Sequence, residues 1–246
     1  MNFKTFLLLL LILVLGVFIY LKIQVLGSET SSFNTTTRYS LGAHPLMREM
    51  LSIHKDGDAR AEYLNGTTPI LIEIGAAPNV LLSDDVVNNF AAQVTEYTGR
   101  PTRIYKIEGM PAGTLTDAAI AQAINVGTKK YLSGSPIFFI AYTEDFVSTT
   151  DEIGKTYREF GIVLSNQKIK DLTQAYPNAM VQYQESTLLH ELGHQLGLQH
   201  NNEDGCIMNT SVESPHSISQ FYNDFTPTKF CQYELDQLSG IKAALK

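Results

Sequence analysis

The order of residue patterns between positions 69 and 165 predicts an α/β fold on a largely parallel sheet. Three observations lead there. Runs rich in β-branched residues alternate with stretches of helical period, residues 136–142 (PIFFIAY) are apolar without interruption, and glycines fall where the runs should stop. An unbroken apolar strand is covered on both faces, which is the place of a central strand in a parallel sheet. Strand, helix, strand, helix, strand then implies right-handed crossovers that keep the strands parallel.

Each element has a local reason. Residues 70–74 (ILIEI) form a short strand ended by Gly75. Ser83 offers an N-cap, with Asp84 and Asp85 in the first turn of the helix it opens. Val86, Val87, Phe90, Ala91, Val94 and Tyr97 follow at three- and four-residue spacing, and Gly99 closes that helix. Residues 103–107 (RIYKI) alternate apolar and basic as a second strand. Thr116 or Asp117 starts a helix through Ala119, Ile120, Ala123 and Ile124, stopped by Gly127. Residues 159–165 are the last strand, and the polar segment 147–158 is a loop or an edge hairpin. A long helix begins near Pro177-Asn178 and runs to about Leu198, with Met180, Tyr183, Leu188, Leu192 and Leu196 available to the sheet. Thr226-Pro227-Thr228 opens a final helix through Phe230, Tyr233, Leu235, Leu238 and Ile241.

The N-terminal part is of another kind. The apolar run 5–21 is ~25 Å long as a helix, and it spans a ~30 Å hydrocarbon core if Lys22 snorkels and Ile23, Val25 and Leu26 are included. It exceeds the apolar region of a signal peptide, and only Gly27 or Ser28 offers a cleavage site. Residues 1–27 therefore read as an uncleaved signal anchor, with a cleaved signal peptide as the alternative. The first leaves the domain membrane-anchored and extracytoplasmic; the second secretes it. Lys4 and Lys22 flank both ends and leave the orientation open. Residues 28–42, rich in Ser and Thr, read as a flexible stalk. Residues 43–246 are expected to form one monomeric domain of about 200 residues, as 44% hydrophobic content allows. Its start, residues 44–64, carries Leu46, Met47, Met50, Leu51 and Ile53 as a short amphipathic helix. His44 and His54 read as structural, and Asp56-Gly57-Asp58 lacks the further oxygen positions of a calcium loop and reads as a turn. A net charge of −7 argues against nucleic acid as a partner.

The chemistry concentrates in residues 190–200, HELGHQLGLQH, which hold three of the chain's six histidines. On a helix, His190 and His194 share one face and can aim at one metal ion, with Glu191 beside that face. Gly197 tolerates the left-handed conformation that ends a helix, so the chain can bend and return His200 as a third ligand. Three nitrogens plus water make the open coordination of one catalytic Zn²⁺, with Glu191 placed as general base. His-Glu-x-x-His by itself arises by chance in on the order of one chain in a hundred, and requiring Gly197 and His200 lowers that by roughly 600-fold.

His-Glu-x-x-His-x-x-Gly-x-x-His with a methionine downstream resembles the signature of the metzincin clan of zinc endopeptidases. The Cys-x-Met spacing of Cys206-Ile207-Met208 and the Leu-Gly-Leu of 196–198 are most similar to the archaemetzincin branch. The resemblance implies a metzincin-like zincin fold: a mixed, mostly parallel twisted sheet with an antiparallel edge strand, an active-site helix, a Met turn and a C-terminal helix. It implies that Met208 lies in a turn beneath the metal, although Met also serves as core filler. It implies a substrate-binding rim between Phe146 and Val163, where peptide adds as a strand. Gly193, which costs ~1 kcal/mol against Ala inside a helix, then marks a close approach of the sheet or of the Met turn. Archaemetzincins carry four cysteines near that turn for a second zinc; this chain has only Cys206 and Cys231, which excludes a four-cysteine site.

In a translocated domain those two cysteines suggest one disulfide across ~25 residues, worth about 3–4 kcal/mol, with recruitment to a metal as the rival reading. Tyr222 is the candidate for a tyrosine that some metzincins aim at the reacting centre, and packing is its other reading. Asn34, Asn65 and Asn209 stand in glycosylation sequons. The expected function is peptide-bond hydrolysis on a peptide or protein substrate. A zinc-containing module without catalysis and a hydrolase of a non-peptide amide are the alternatives.

Overall fold

The computed structural model describes residues 2–27, 31–42, 44–53, 55–80, 82–127, 135–148, 152–174, 177–212 and 226–245. Its centre is a five-stranded sheet made of β1 (Ile70–Ala76), β2 (Thr102–Ile107), β4 (Ile137–Thr143), β6 (Gly154–Tyr157) and β7 (Gly161–Ser165). The spatial order is β2-β1-β4-β7-β6. All neighbours run parallel except the β6–β7 pair, which is antiparallel and puts β6 at the edge. Two residues each from β3 (Thr114–Leu115) and β5 (Asp145–Phe146) make a separate parallel pair.

β4 is buried along its whole length, and its alternation divides the core. Phe138, Ile140 and Tyr142 enter the larger core together with Val86, Phe90 and Val94 of α5 (Asp84–Thr98) and Leu188, Leu189 and Leu192 of α8 (Met180–Gln195). Phe139 and Ala141 enter the smaller core on the opposite face, against Ile120 and Ile124 of α6 (Asp117–Gly127). Helices on both faces explain why 136–142 carries no polar residue. The capping expected of α5 is present: Ser83 accepts from the Val86 N–H, and Gly99 has φ +75°.

Several elements differ from expectation, each for a local reason. The site helix opens with a 3₁₀ turn at Pro177–Ala179 and ends at Gln195, three residues before 198. The last helix, α9 (Gln232–Ala244), starts six residues after Thr226, because the side chains of Cys231 and Glu234 cap it reciprocally. Residues 44–64 form two helices, α3 (Pro45–Leu51) and α4 (Arg60–Leu64), since Ser52 turns left-handed at φ 59°. α7 (Asn166–Thr173), unforeseen in a polar stretch, begins where Ser165 accepts from the Lys168 N–H and buries Ile169 and Thr173.

The stalk reading of 28–42 meets a different arrangement. Phe33–Thr37 is a π-helical turn continued by α2 (Arg38–Gly42), and Asn34 and Arg38 are buried. The Asn34 amide donates to the carbonyls of Gln24 and Gly27, so this sequon's nitrogen is spent inside the fold. Before it stands α1 (Phe3–Val25), whose apolar side chains are exposed except near its end. There Val25 packs with Leu51 and Ile53, joined by Phe18 and Leu21.

Candidate metal centre

α8 carries His190, Glu191 and His194 past the edge of the sheet, and polar side chains hold it there. Gln195 donates to the carbonyls of Arg158 and Gly161, at 2.9 and 3.0 Å, binding the helix end to the β6–β7 connection. Gln184 donates to the Tyr142 hydroxyl at 2.6 Å, and that hydroxyl donates to Asn166. Burial pushes the Tyr142 phenol up to about 12, so it remains a donor.

The helix then stops in a Schellman turn. Gly197, at φ +92°, gives its N–H to His194, and the Leu198 N–H reaches Gly193. The reversal brings His200 back against the helix. The Nε2 atoms of the three histidines form a triangle: 3.1 Å for His190–His194, 3.2 Å for His190–His200 and 3.0 Å for His194–His200. Nitrogens that share a zinc ion at about 2.0–2.1 Å in tetrahedral fashion stand roughly 3.3 Å apart. The His190 Nδ1 donates to the Ile207 carbonyl at 2.7 Å, which leaves its Nε2 as a lone pair facing the other two rings. A cation stabilises such a convergence, so the donor set fits zinc.

Beneath His190 runs the turn 206–209, closed by the Asn209 N–H on the Cys206 carbonyl. Met208 is fully buried, and its sulfur lies where a Cβ on Gly193 would be, with Phe230 next to it. The turn containing Met208 is therefore the close neighbour that Gly193 admits. Cys206 and Cys231 form a disulfide that ties this turn to the start of α9. Glu191 is buried, and its Oε1 points to β6, 3.2 Å from where a Cβ of Gly154 would sit.

Glu234 was not foreseen at this site. Glu234, wholly buried on α9, accepts from the Met208 N–H at 2.5 Å, the Ile207 N–H at 3.3 Å, the Cys231 N–H at 2.9 Å and the Asn201 amide at 3.2 Å. Its only sequence signal is an acid three residues after an N-cap, and cysteine is not among the residues that usually mark one. His44 is exposed and far in sequence from the triangle; His54, His216 and Tyr222 lie outside the described residues.

A mostly parallel sheet with one antiparallel edge strand, a helix bearing two of three convergent imidazoles and a methionine turn define a metzincin-like fold around a candidate metal centre. The Matrixin family model matches residues 112–226, just under half of the chain. Among solved structures, the archaemetzincin of Methanopyrus kandleri is 19% identical, covering 72% of this chain and 96% of that one with a TM-score of 0.55. A zinc-dependent peptidase from Methanocorpusculum labreanum is 13% identical over 68% of this chain and 99% of that one, with a TM-score of 0.47. The archaemetzincin of Archaeoglobus fulgidus is 17% identical over the same two shares, with a TM-score of 0.44. No curated protein matches the chain.

Proposed function

We propose that this chain is a zinc-dependent peptidase in which His190, His194 and His200 hold the ion and Glu191 is the general base. The observation that carries the reading is the Nε2 triangle with sides of 3.0–3.2 Å. When bound, zinc supplies Lewis acidity, bringing the pKa of a water towards ~7 and polarising a carbonyl. Glu191 takes a proton from the attacking water and delivers it to the leaving amine. Its burial between α8 and β6 keeps that carboxylate directed and shielded from bulk solvent. The outer edge of β6 is unpaired among the described strands, so an extended peptide can add there alongside Glu191. The turn that holds Met208 supports the His190 side of the triangle through the Ile207 carbonyl, and the Cys206–Cys231 disulfide fixes that turn to α9. α1, 23 residues long and apolar, anchors the domain in a membrane with its catalytic part extracytoplasmic.

The test uses the full chain in detergent. The expected results are one zinc per chain and cleavage of casein that a chelator abolishes and zinc restores. Glu191→Ala should retain the zinc and lose turnover by about 10²–10⁴-fold. A variant as fast as the parent removes Glu191 from its role. A chain that binds zinc and cleaves neither casein nor a peptide library is a binding module or acts on another amide.

A further inference from the structure

The turn at residues 55–58 touches the metal helix from outside. Gly57, at φ +74°, lies so close to the helix end that a Cβ on it would be 3.1 Å from both the Gly197 Cα and the His194 carbonyl oxygen. Two residues in left-handed conformation thus meet face to face, and a larger side chain at position 57 would be crowded against backbone and strained in φ. Asp58 pins the turn from within: its carboxylate is buried, accepts from the Lys55 N–H at 2.8 Å, and takes Arg38 through Nε at 2.9 Å and Nη2 at 2.7 Å. The turn is therefore built to a fixed position.

That position puts the Asp56 carboxylate opposite His194. Asp56 Oδ2 is 3.8 Å from His194 Nδ1, on the ring edge away from the triangle. His190 has its outer nitrogen on a backbone carbonyl, whereas His194 has an acidic side chain facing it. A neutral imidazole that gives its Nε2 lone pair to a cation carries its proton on Nδ1, and a carboxylate beyond that proton orients the ring and stabilises the bound state. At 3.8 Å the attraction is electrostatic and is correspondingly modest.

We propose that Asp56 is a positioning residue for the metal, acting through His194; this rests on the metal assignment made above. The N-terminal segment then supplies part of the site instead of merely carrying the domain. The experiment measures zinc dissociation constants by competition with a chromophoric chelator, using full-length wild type, Asp56→Asn and Asp56→Glu in detergent. Melting temperatures of the metal-free proteins are measured alongside. Asp56→Asn should weaken zinc binding about tenfold, the low end of the effect of such partners. Asp56→Glu should recover most of it, and the metal-free melting temperatures should coincide. Equal zinc affinity of wild type and Asp56→Asn overturns the inference, as does a glutamate variant no better than the asparagine one. A lower metal-free melting temperature for Asp56→Asn also overturns it, by making Asp56 a structural prop. If wild type takes up no zinc, the metal assignment falls as well, which separates the two failures.

Discussion

The carboxylate of Glu234 accepts two backbone N–H groups of the methionine turn and caps its own helix, all without exposure to water. Removing it leaves donors buried and unmatched, each at a cost of about 1–3 kcal/mol. Glu234→Ala should therefore lower the unfolding free energy by about 2–4 kcal/mol in urea titrations of the metal-free protein. A loss below 1 kcal/mol would mean that water replaces the carboxylate. The contrast with the histidines is instructive. His190, Glu191, His194, Gly197 and His200 stand within eleven residues, and helical period plus one turn relates them, so their arrangement was legible in the sequence. Glu234 and Asp56 reach the same centre from 26 residues after Met208 and more than a hundred before His190, and no local period links them.

At the level of elements, β4 shows how one strand serves two cores and the site together. Its Tyr142 belongs to the larger core by its ring and to α7 and α8 by its hydroxyl. The folded value of about 12 lies above the ordinary 10.0 of a phenol, so the fold favours the neutral form. That contribution is complete below pH 10 and is lost as pH rises from 10 to 12, by about 2–3 kcal/mol in all. Chemical denaturation between pH 9 and 12 should show this fall in wild type and a shallower one in Tyr142→Phe. Periodicity located β1, β2, β4, α5 and α6, since each pattern is repeated against one continuous core. It left out β3 and β5, because two-residue strands have no period, and α7, whose polar face dominates its eight residues.

For the whole molecule, the segment before β1 is bonded into the fold. Arg38 takes the buried Asp58 and the Val25 carbonyl, and buried Arg48 takes both Glu62 and Glu159, the latter next to β7. Burial raises the Glu62 carboxyl despite the Arg48 guanidinium beside it. Arg38→Ala would leave Asp58 charged inside the protein, and the expected loss is about 3–5 kcal/mol, measured by urea unfolding of the full chain. A loss under 1 kcal/mol would return residues 31–42 to the role of a loose tether. The sequence by itself determined the convergence of three histidines, the parallel sheet and the apolar N-terminal helix, because each is written in spacings of a few residues that helix and strand geometry convert directly into position. Only the tertiary structure decided that residues 31–42 make helical turns bonded to Val25 and Asp58, and that Asp56 and Glu234 meet the site from far along the chain on either side. Such contacts depend on how distant surfaces match, and a linear pattern does not record that match.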